Sequence, residues 1–317
     1  MGAGILANDG IDETGKKMLE EAGFTVITAK VPQENLIAEI NANNYTALTV
    51  RSATKVRKDL IDACPNLKVI GRGGVGMDNI DVDYARSKGI AVINTPAASS
   101  NSVAELVLAH AFSAARFLYD SNRRMPENGS TAFNELKKKY AGGTELRGKT
   151  FGIMGMGRIG QAVAKMALGL GMKVVTHDPF VKEAEITLQI EGANDVKVKL
   201  KTVSPEEVFR TADYITFHVP GGEVAGEKEL SAMKKGVVLI NTARGGVINE
   251  AALLKALESG QVAHACLDVF NDEPTPGQAL LKHPRISLTP HIGAATLEAQ
   301  ERIGVELAEK LIEALKS

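Results

Sequence analysis

Apolar and polar positions alternate with two different periods along most of the chain. Short apolar runs at 4–7, 25–28, 47–50, 69–70 and 90–93 predict strands, and the stretches 12–22, 34–42 and 58–63 between them read as helices. Gly23 stands just past the first helix as a stop signal. Repeated strand and helix predict a parallel sheet covered by helices, because parallel neighbours need a crossover connection. A second series of apolar runs, at 151–154, 174–176, 214–219, 237–240, 265–267 and 286–288, predicts six further strands. Segments 206–211, 250–259 and 276–282 between them read as helices or turns. Six such strands match two mononucleotide-binding halves. The expected class is α/β, with two doubly wound parallel-sheet domains.

The region between the two series has a different texture. Residues 97–102, Ala-Ala-Ser-Ser-Asn-Ser, are small and polar, as at a hinge or boundary. From 103 to 118 a helix is predicted that is apolar round most of its circumference, with Leu106, Val107, Phe112, Phe117 and Leu118. Such a helix must be covered nearly all round, by interdomain packing or by a second subunit. A homodimer is therefore expected. His110 inside this helix reads as a packed side chain. Residues 121–143, polar and basic with Lys137, Lys138 and Lys139 in a row, are expected to form a solvated loop. The chain closes in a helix at 297–315.

Residues 149–178 carry the densest signal. Strand 151–154 leads into Gly155-Met156-Gly157-Arg158-Ile159-Gly160, then a helix with Val163, Met166 and Leu170 on one face, then a strand ending at Asp178. This is the order of a dinucleotide-binding βαβ unit. Gly155 allows the tight turn, Gly157 lets a pyrophosphate approach the backbone, and Gly160 lets the helix pack closely on the sheet. The helix start at Arg158 and Ile159 offers N–H groups and a partial positive charge to phosphates. Asp178, eighteen residues past Gly160, is placed to bond the adenosine ribose hydroxyls. Its carboxylate opposes a 2′-phosphate by roughly a few kcal/mol at an effective dielectric near 20. That favours NAD over NADP, with Lys182 close enough in sequence to soften the discrimination. The expected division is a flavodoxin-like substrate domain, residues 1–99 completed by residues 293–317, and a Rossmann NAD-binding domain, residues 100–292.

Composition removes several alternatives. The 317 residues suffice for two cores, and a net charge of −1 gives no basic surface for nucleic acid. No apolar run approaches the roughly 18 residues that span a bilayer, and no signal-peptide pattern opens the chain. Cys64 and Cys266 stand apart without metal-ligand spacing, so buried free thiols in a reducing cytosol are expected. A cytoplasmic protein with no metal and no membrane partner is the resulting expectation.

Ligands of a doubly wound sheet lie beyond the carboxyl ends of its strands. Past strand 237–240 come Asn241, Thr242, Ala243 and Arg244; past 265–267 come Asp268 to Pro274, with Asp272 and Glu273; past 286–288 come Thr289, Pro290, His291, Ile292 and Gly293. One guanidinium, an acid pair and one imidazole thus follow three strands of a nucleotide domain. Hydride transfer from a hydroxy acid needs this set. An arginine holds the carboxylate with two parallel hydrogen bonds. A histidine takes the hydroxyl proton near neutrality. An adjacent carboxylate orients the ring and stabilises the imidazolium that forms.

The strings NTARGG (241–246), DVFNDEP (268–274) and PHIGAAT (290–296), with GMGRIG (155–160), resemble those of the D-isomer-specific 2-hydroxyacid dehydrogenases. The resemblance implies that Arg244 binds the substrate carboxylate, His291 exchanges the proton and Glu273 pairs with His291. It implies coenzyme contacts at His218, Val219, Thr242, Asp268 and Gly293, with Asp268 at the nicotinamide, and leaves Asp272 as a solvated acid. VRSATKV (50–56), GRGGVGMDNID (71–81), NTP (94–96) and GTELRGKT (143–150) are similar to members that act on a phosphorylated 2-hydroxy acid. By that likeness the substrate contacts are Arg51, Ser52, Arg72, Gly74, Val75 and Asn101, with Arg51 and Arg72 on the phosphate and one of Lys137, Lys138 or Lys139 reaching a partner subunit. Val75 and Val219 stand where relatives often carry Thr. Residues 220–226 are shorter and richer in glycine than usual, which leaves a coenzyme contact there open. No regulatory domain is expected behind the final helix. The same residues would serve a reductase of unphosphorylated acids, which needs no phosphate site, or an NAD-sensing corepressor-like protein, which shows no turnover.

Overall fold

In the computed structural model, which describes residues 4–316, the chain gathers into two units. One holds the residues up to Ser100 and those from Ala294 onward, and the other is Asn101–Gly293. In the first, β1 (Gly4–Ala7), β2 (Thr25–Ile27), β3 (Tyr45–Val50), β4 (Val69–Arg72) and β5 (Ala91–Asn94) form a parallel sheet in the order β2-β1-β3-β4-β5. This is the flavodoxin-like doubly wound order. Its central strands are apolar on both faces, as strands covered on both sides must be. Leu6, Leu48 and Ile70 bury against Leu36, Ile40 and Leu60 on one side. Ile5, Ala47 and Val69 bury on the other, against Leu19 and against Leu307, Ala308 and Leu311 of the final helix Leu297–Lys316. Each fully buried leucine contributes about 1.5–3 kcal/mol, so that helix is a structural member of this unit.

The second unit contains β6 (Thr150–Met154), β7 (Lys173–His177), β8 (Glu183–Leu188), β9 (Val196–Lys201), β10 (Tyr214–Phe217), β11 (Val237–Asn241), β12 (Val262–Leu267) and β13 (Ile286–Leu288). Six of these form a parallel sheet in the order β13-β12-β11-β10-β6-β7. The expectation of two full mononucleotide halves needs correction. After β7 the chain makes the antiparallel hairpin β8–β9 instead of a helix and a third strand, and a single parallel bridge, Thr176 to Thr202, extends the sheet beyond β7. The residues explain it. Glu183 to Leu188 and Val196 to Lys201 alternate polar and apolar, the period of a half-buried strand. Ala184 and Ile186 join the core with Val163, Ala164 and Ala167, while Glu185 meets Lys197 at 2.9 Å on the outer face.

Residues 121–143 are not a loop. The apolar helix runs Ser100–Arg116 and stops at Phe117, whose φ of 55° is left-handed. Helices Leu118–Asn128 and Phe133–Lys139 follow. The first has no buried residue and so no apolar stripe to betray it in the sequence. Charge ties the pair together instead: Asp120 meets Arg124 at 3.4 Å and Lys139 at 2.6 Å, and accepts the Tyr140 hydroxyl at 2.9 Å. Phe112, Leu118, Met125 and Phe133 remain exposed, so the described residues do not cover this apolar surface.

Candidate active site

One row of paired residues sets the site of the second unit. His177, Met154, Phe217, Asn241, Leu267 and Leu288 are in register across all six strands. The next residue of each strand therefore leaves the sheet at one edge, the carboxyl edge where ligands bind. Those residues are Asp178, Gly155, His218, Thr242, Asp268 and Thr289.

The β6 end of this edge fits a dinucleotide. Gly155 has φ +105°, and a Cβ there would lie 2.5 Å from the His218 carbonyl oxygen; at Gly160 it would lie 2.0 Å from the Gly155 oxygen. Both positions exclude any side chain. Gly157 precedes the helix Arg158–Gly169 without a side-chain cap, and a Cβ on it would meet nothing within 4 Å. The first helical N–H groups, at Arg158, Ile159 and Gly160, are thus left for an anion. His218 Nδ1 and Thr242 Oγ1 are buried with no hydrogen-bond partner among the described residues. Buried polar atoms are ordinarily bonded, and a coenzyme along this edge would supply the partners. Burial pushes the His218 pKa down to about 3, so the ring is neutral, and its Nε2 lies 3.1 Å from Thr216 Oγ1. Val219, apolar and packed against the core, offers no side-chain hydrogen bond.

Asp178 is tied into the turn after β6 and the loop after β7. Its Oδ2 accepts the Met156 N–H at 2.7 Å, and its Oδ1 accepts those of Phe180 at 2.8 Å and Val181 at 3.0 Å. Burial pushes this carboxyl up, but the three donors outweigh it and hold it below its ordinary value. Among the described residues no three His, Cys, Asp or Glu gather as metal ligands. Cys64 and Cys266 are both buried and unpaired as thiols.

The other end of the edge brings three loops together. His291 Nδ1 lies 2.8 Å from Glu273 Oε2, and Glu273 Oε1 accepts the Phe270 N–H at 2.9 Å. With Nδ1 donating its proton to the carboxylate, Nε2 is left as the acceptor. His291 itself has φ 54°. Asp268, expected at the nicotinamide, is almost wholly buried and bonded within the protein. Its Oδ1 accepts the Thr289 hydroxyl at 2.6 Å and the Ile292 N–H at 2.8 Å, and its Oδ2 accepts the Gly293 N–H at 2.9 Å. Burial raises its pKa despite these donors. The Gly293 oxygen accepts the Ser102 hydroxyl at 2.7 Å.

Arg244 is held by its own turn, where Asn241 Nδ2 donates to the Arg244 oxygen at 2.9 Å and Arg244 Nη1 donates to the Ala243 oxygen at 2.7 Å. The following Gly245 lies against Phe270, with room for no Cβ (2.1 Å to the Phe270 oxygen). The arginine loop therefore packs on the loop that carries Glu273. Asp272 is exposed, one residue away, and Asn101 is exposed in the first turn of its helix.

In the first unit, Val50 pairs with Arg72, so Arg51 and Arg72 leave adjacent strands at the same end. The loop 51–55 is clamped. Asp9 accepts the Arg51 N–H at 2.7 Å and the Thr54 N–H at 3.0 Å, and Asn79 Nδ2 donates to the oxygens of Arg51 at 2.8 Å and Thr54 at 2.6 Å. Lys30 also bonds Asp9. Arg51 lines a cleft with Asp9, Gly73 and Gln300, and burial draws its pKa down against the pull of Asp9. Arg72 Nη1 donates to the Gly73 oxygen at 3.1 Å, the Gly74 N–H donates to the Thr95 hydroxyl oxygen at 2.7 Å, and Ser52 and Val75 are exposed. Asp9 and Thr289 have no signal in the sequence beyond standing near a strand end, and the string 71–81 contains Asn79 without pointing to its role.

Fold and edge together define an NAD-binding dehydrogenase module. The pattern described as "D-isomer specific 2-hydroxyacid dehydrogenase, NAD binding domain" matches residues 108–293, and the chain belongs to this family. It is 39% identical over 317 residues to a D-3-phosphoglycerate dehydrogenase of Methanocaldococcus jannaschii, covering 98% of this chain and 57% of that protein. It is 39% identical over 318 residues to a hydroxypyruvate reductase of Thermotoga maritima, covering 98% of each. The chain thus spans little more than half the length of the phosphoglycerate dehydrogenases it matches. A glyoxylate reductase from Paecilomyes thermophila shares the fold with a TM-score of 0.83 at 30% identity, covering 100% of this chain and 96% of that one.

Proposed function

We propose that the chain oxidises 3-phospho-D-glycerate to 3-phosphohydroxypyruvate with NAD, the entry step of serine synthesis, as a cytoplasmic homodimer. Bound NAD supplies the hydride acceptor. Arg244 holds the substrate carboxylate with its fork of N–H groups. His291 Nε2 takes the hydroxyl proton as the C2 hydride leaves. Glu273 holds His291 in the tautomer that leaves Nε2 free to accept, and offsets the charge that forms. The subunit contact is assigned to the exposed apolar residues Phe112, Leu118, Met125 and Phe133. Lys139 is engaged by Asp120, which leaves Lys137 and Lys138 as the cations for a partner's site.

The observation that carries the phosphorylated substrate is a pair of cations besides Arg244, Arg51 and Arg72 at the ends of paired strands. A hydroxy acid with one carboxylate needs Arg244 alone. A second reading, reduction of hydroxypyruvate or glyoxylate, is favoured by the full-length match to the Thermotoga maritima reductase. Rates of NADH formation decide. The value of kcat/KM for 3-phospho-D-glycerate is expected to exceed that for D-glycerate by about a hundredfold or more, the worth of two charged hydrogen bonds. Replacing both Arg51 and Arg72 by Ala should abolish the ratio. Comparable values for the two acids, with faster reduction of hydroxypyruvate, would establish the second reading instead.

Glu273→Gln tests the pair. Glu273 gives one oxygen to the Phe270 N–H and the other to His291. A glutamine has one oxygen, so one of these donors must face an NH₂ group. Turnover should fall about 10- to 100-fold, equivalent to one charged hydrogen bond, with KM for the acid little changed. A loss confined to KM would place Glu273 elsewhere in the reaction.

A further inference from the structure

His110 is buried in the helix Ser100–Arg116 and has no part in the chemistry above. Its Nε2 lies 3.1 Å from Thr289 Oγ1, which in turn lies 2.6 Å from Asp268 Oδ1. The direction of these bonds follows from proton count. Asp268 Oδ1 already accepts the Ile292 N–H and Oδ2 the Gly293 N–H, so the carboxylate is an acceptor throughout. A hydroxyl has one proton, and Thr289 gives it to Asp268. Towards His110 the hydroxyl is then only an acceptor, which fixes the Nε2–H tautomer. Burial, which holds the His110 pKa down to about 4, keeps this donor neutral. The backbone of residue 110 is held as well, because its carbonyl oxygen receives the Cys266 thiol at 3.6 Å.

The two N–H groups that Asp268 receives are those immediately after His291. That histidine stands at φ 54°, a left-handed conformation that side chains other than glycine adopt only when neighbours enforce it. Glu273 enforces it at the ring, and Asp268 at the backbone. We propose that His110 is a positioning residue: by donating to Thr289 it orients that hydroxyl onto Asp268, and so holds the His291 loop in its strained, reactive place. A donor at this point does what an apolar side chain of similar size does not. It satisfies a buried oxygen and strengthens the bond that oxygen makes onward. The inference rests on the reading of His291 as proton acceptor.

Four variants test it, His110→Leu and Thr289→Val to remove the donor and the relay, His110→Gln and Thr289→Ser to keep them. The first readout needs no coenzyme: amide hydrogen exchange at Ile292 and Gly293, followed by NMR. Exchange there should rise roughly tenfold or more in the Leu and Val variants and return towards wild type in the Gln and Ser variants. Amides of β6 and β10 to β12 should keep their protection, which reports an intact fold. In turnover, the Leu and Val variants should lose about tenfold in kcat with KM for the acid within about twofold, the signature of a displaced reacting group. Wild-type exchange and kcat in His110→Leu would overturn the proposal, as would a Gln variant no better than Leu, which would mean packing alone. Faster exchange without loss of kcat would also overturn it. Should His110→Leu fail to fold, Thr289→Val with its Ser control carries the same test. A wild-type protein that turns over no 2-hydroxy acid would sink the functional reading, and the exchange data would still judge the hydrogen-bond relay.

Discussion

Replacing His291 with Ala is expected to lower kcat roughly a hundred- to ten-thousand-fold, the range of a positioned general base, while NAD affinity is retained. The two effects separate because the elements are separate. The glycine turn follows β6 and Asp178 follows β7, whereas His291 follows β13 at the far edge of the same sheet. With Nδ1 engaged by Glu273, Nε2 is the atom available to take the hydroxyl proton. Removing the ring leaves Glu273 Oε2 without its donor, while Oε1 stays bonded to the Phe270 N–H. Steady-state rates together with calorimetric titration of NAD check this. A loss of less than tenfold would mean that the proton leaves by another route.

Arg244→Ala is expected to reduce kcat/KM by about a hundred- to a thousandfold, as two charged hydrogen bonds to the substrate carboxylate are lost. The effect should be this large because the side chain is preorganised. One N–H of its guanidinium is bonded to the Ala243 oxygen and its own carbonyl is held by Asn241, so little freedom is lost when a carboxylate docks. Arg244→Lys should recover only a minor part. A lysine ammonium that meets the carboxylate cannot also present two parallel donors. Rates with 3-phospho-D-glycerate over a range of concentrations check it, and an Arg244→Ala enzyme with near wild-type kcat/KM would remove the residue from the site.

Much of this architecture is visible in the sequence because it rests on local signals. The apolar runs that give β1, β6 and β11 are continuous, and continuous runs are what strands buried on both faces require. Gly155 and Gly160 show in sequence because each is demanded by a close backbone contact that only glycine allows. The hairpin β8–β9 and the helix Leu118–Asn128 were hidden for the opposite reason. The hairpin places half of its residues in solvent, and the helix buries none and is held by Asp120, Arg124 and Lys139. Supporting groups are hidden more deeply. Nothing in the sequence says that Asp9 and Asn79 clamp the Arg51 loop, or that Thr289 bonds both Asp268 and His110. Those contacts join residues roughly 20 to 180 positions apart and arise only once the fold brings strand ends, loops and a helix together.

The central claim is that C2 of a phosphorylated 2-hydroxy acid gives its hydride directly to NAD on this chain. It is tested most directly by supplying 3-phospho-D-glycerate carrying deuterium at C2 and measuring the NADH formed by mass spectrometry. The expected result is one deuterium in each NADH, matched by one molecule of 3-phosphohydroxypyruvate. NADH without the label, or NAD and acid bound with no NADH produced, would contradict it.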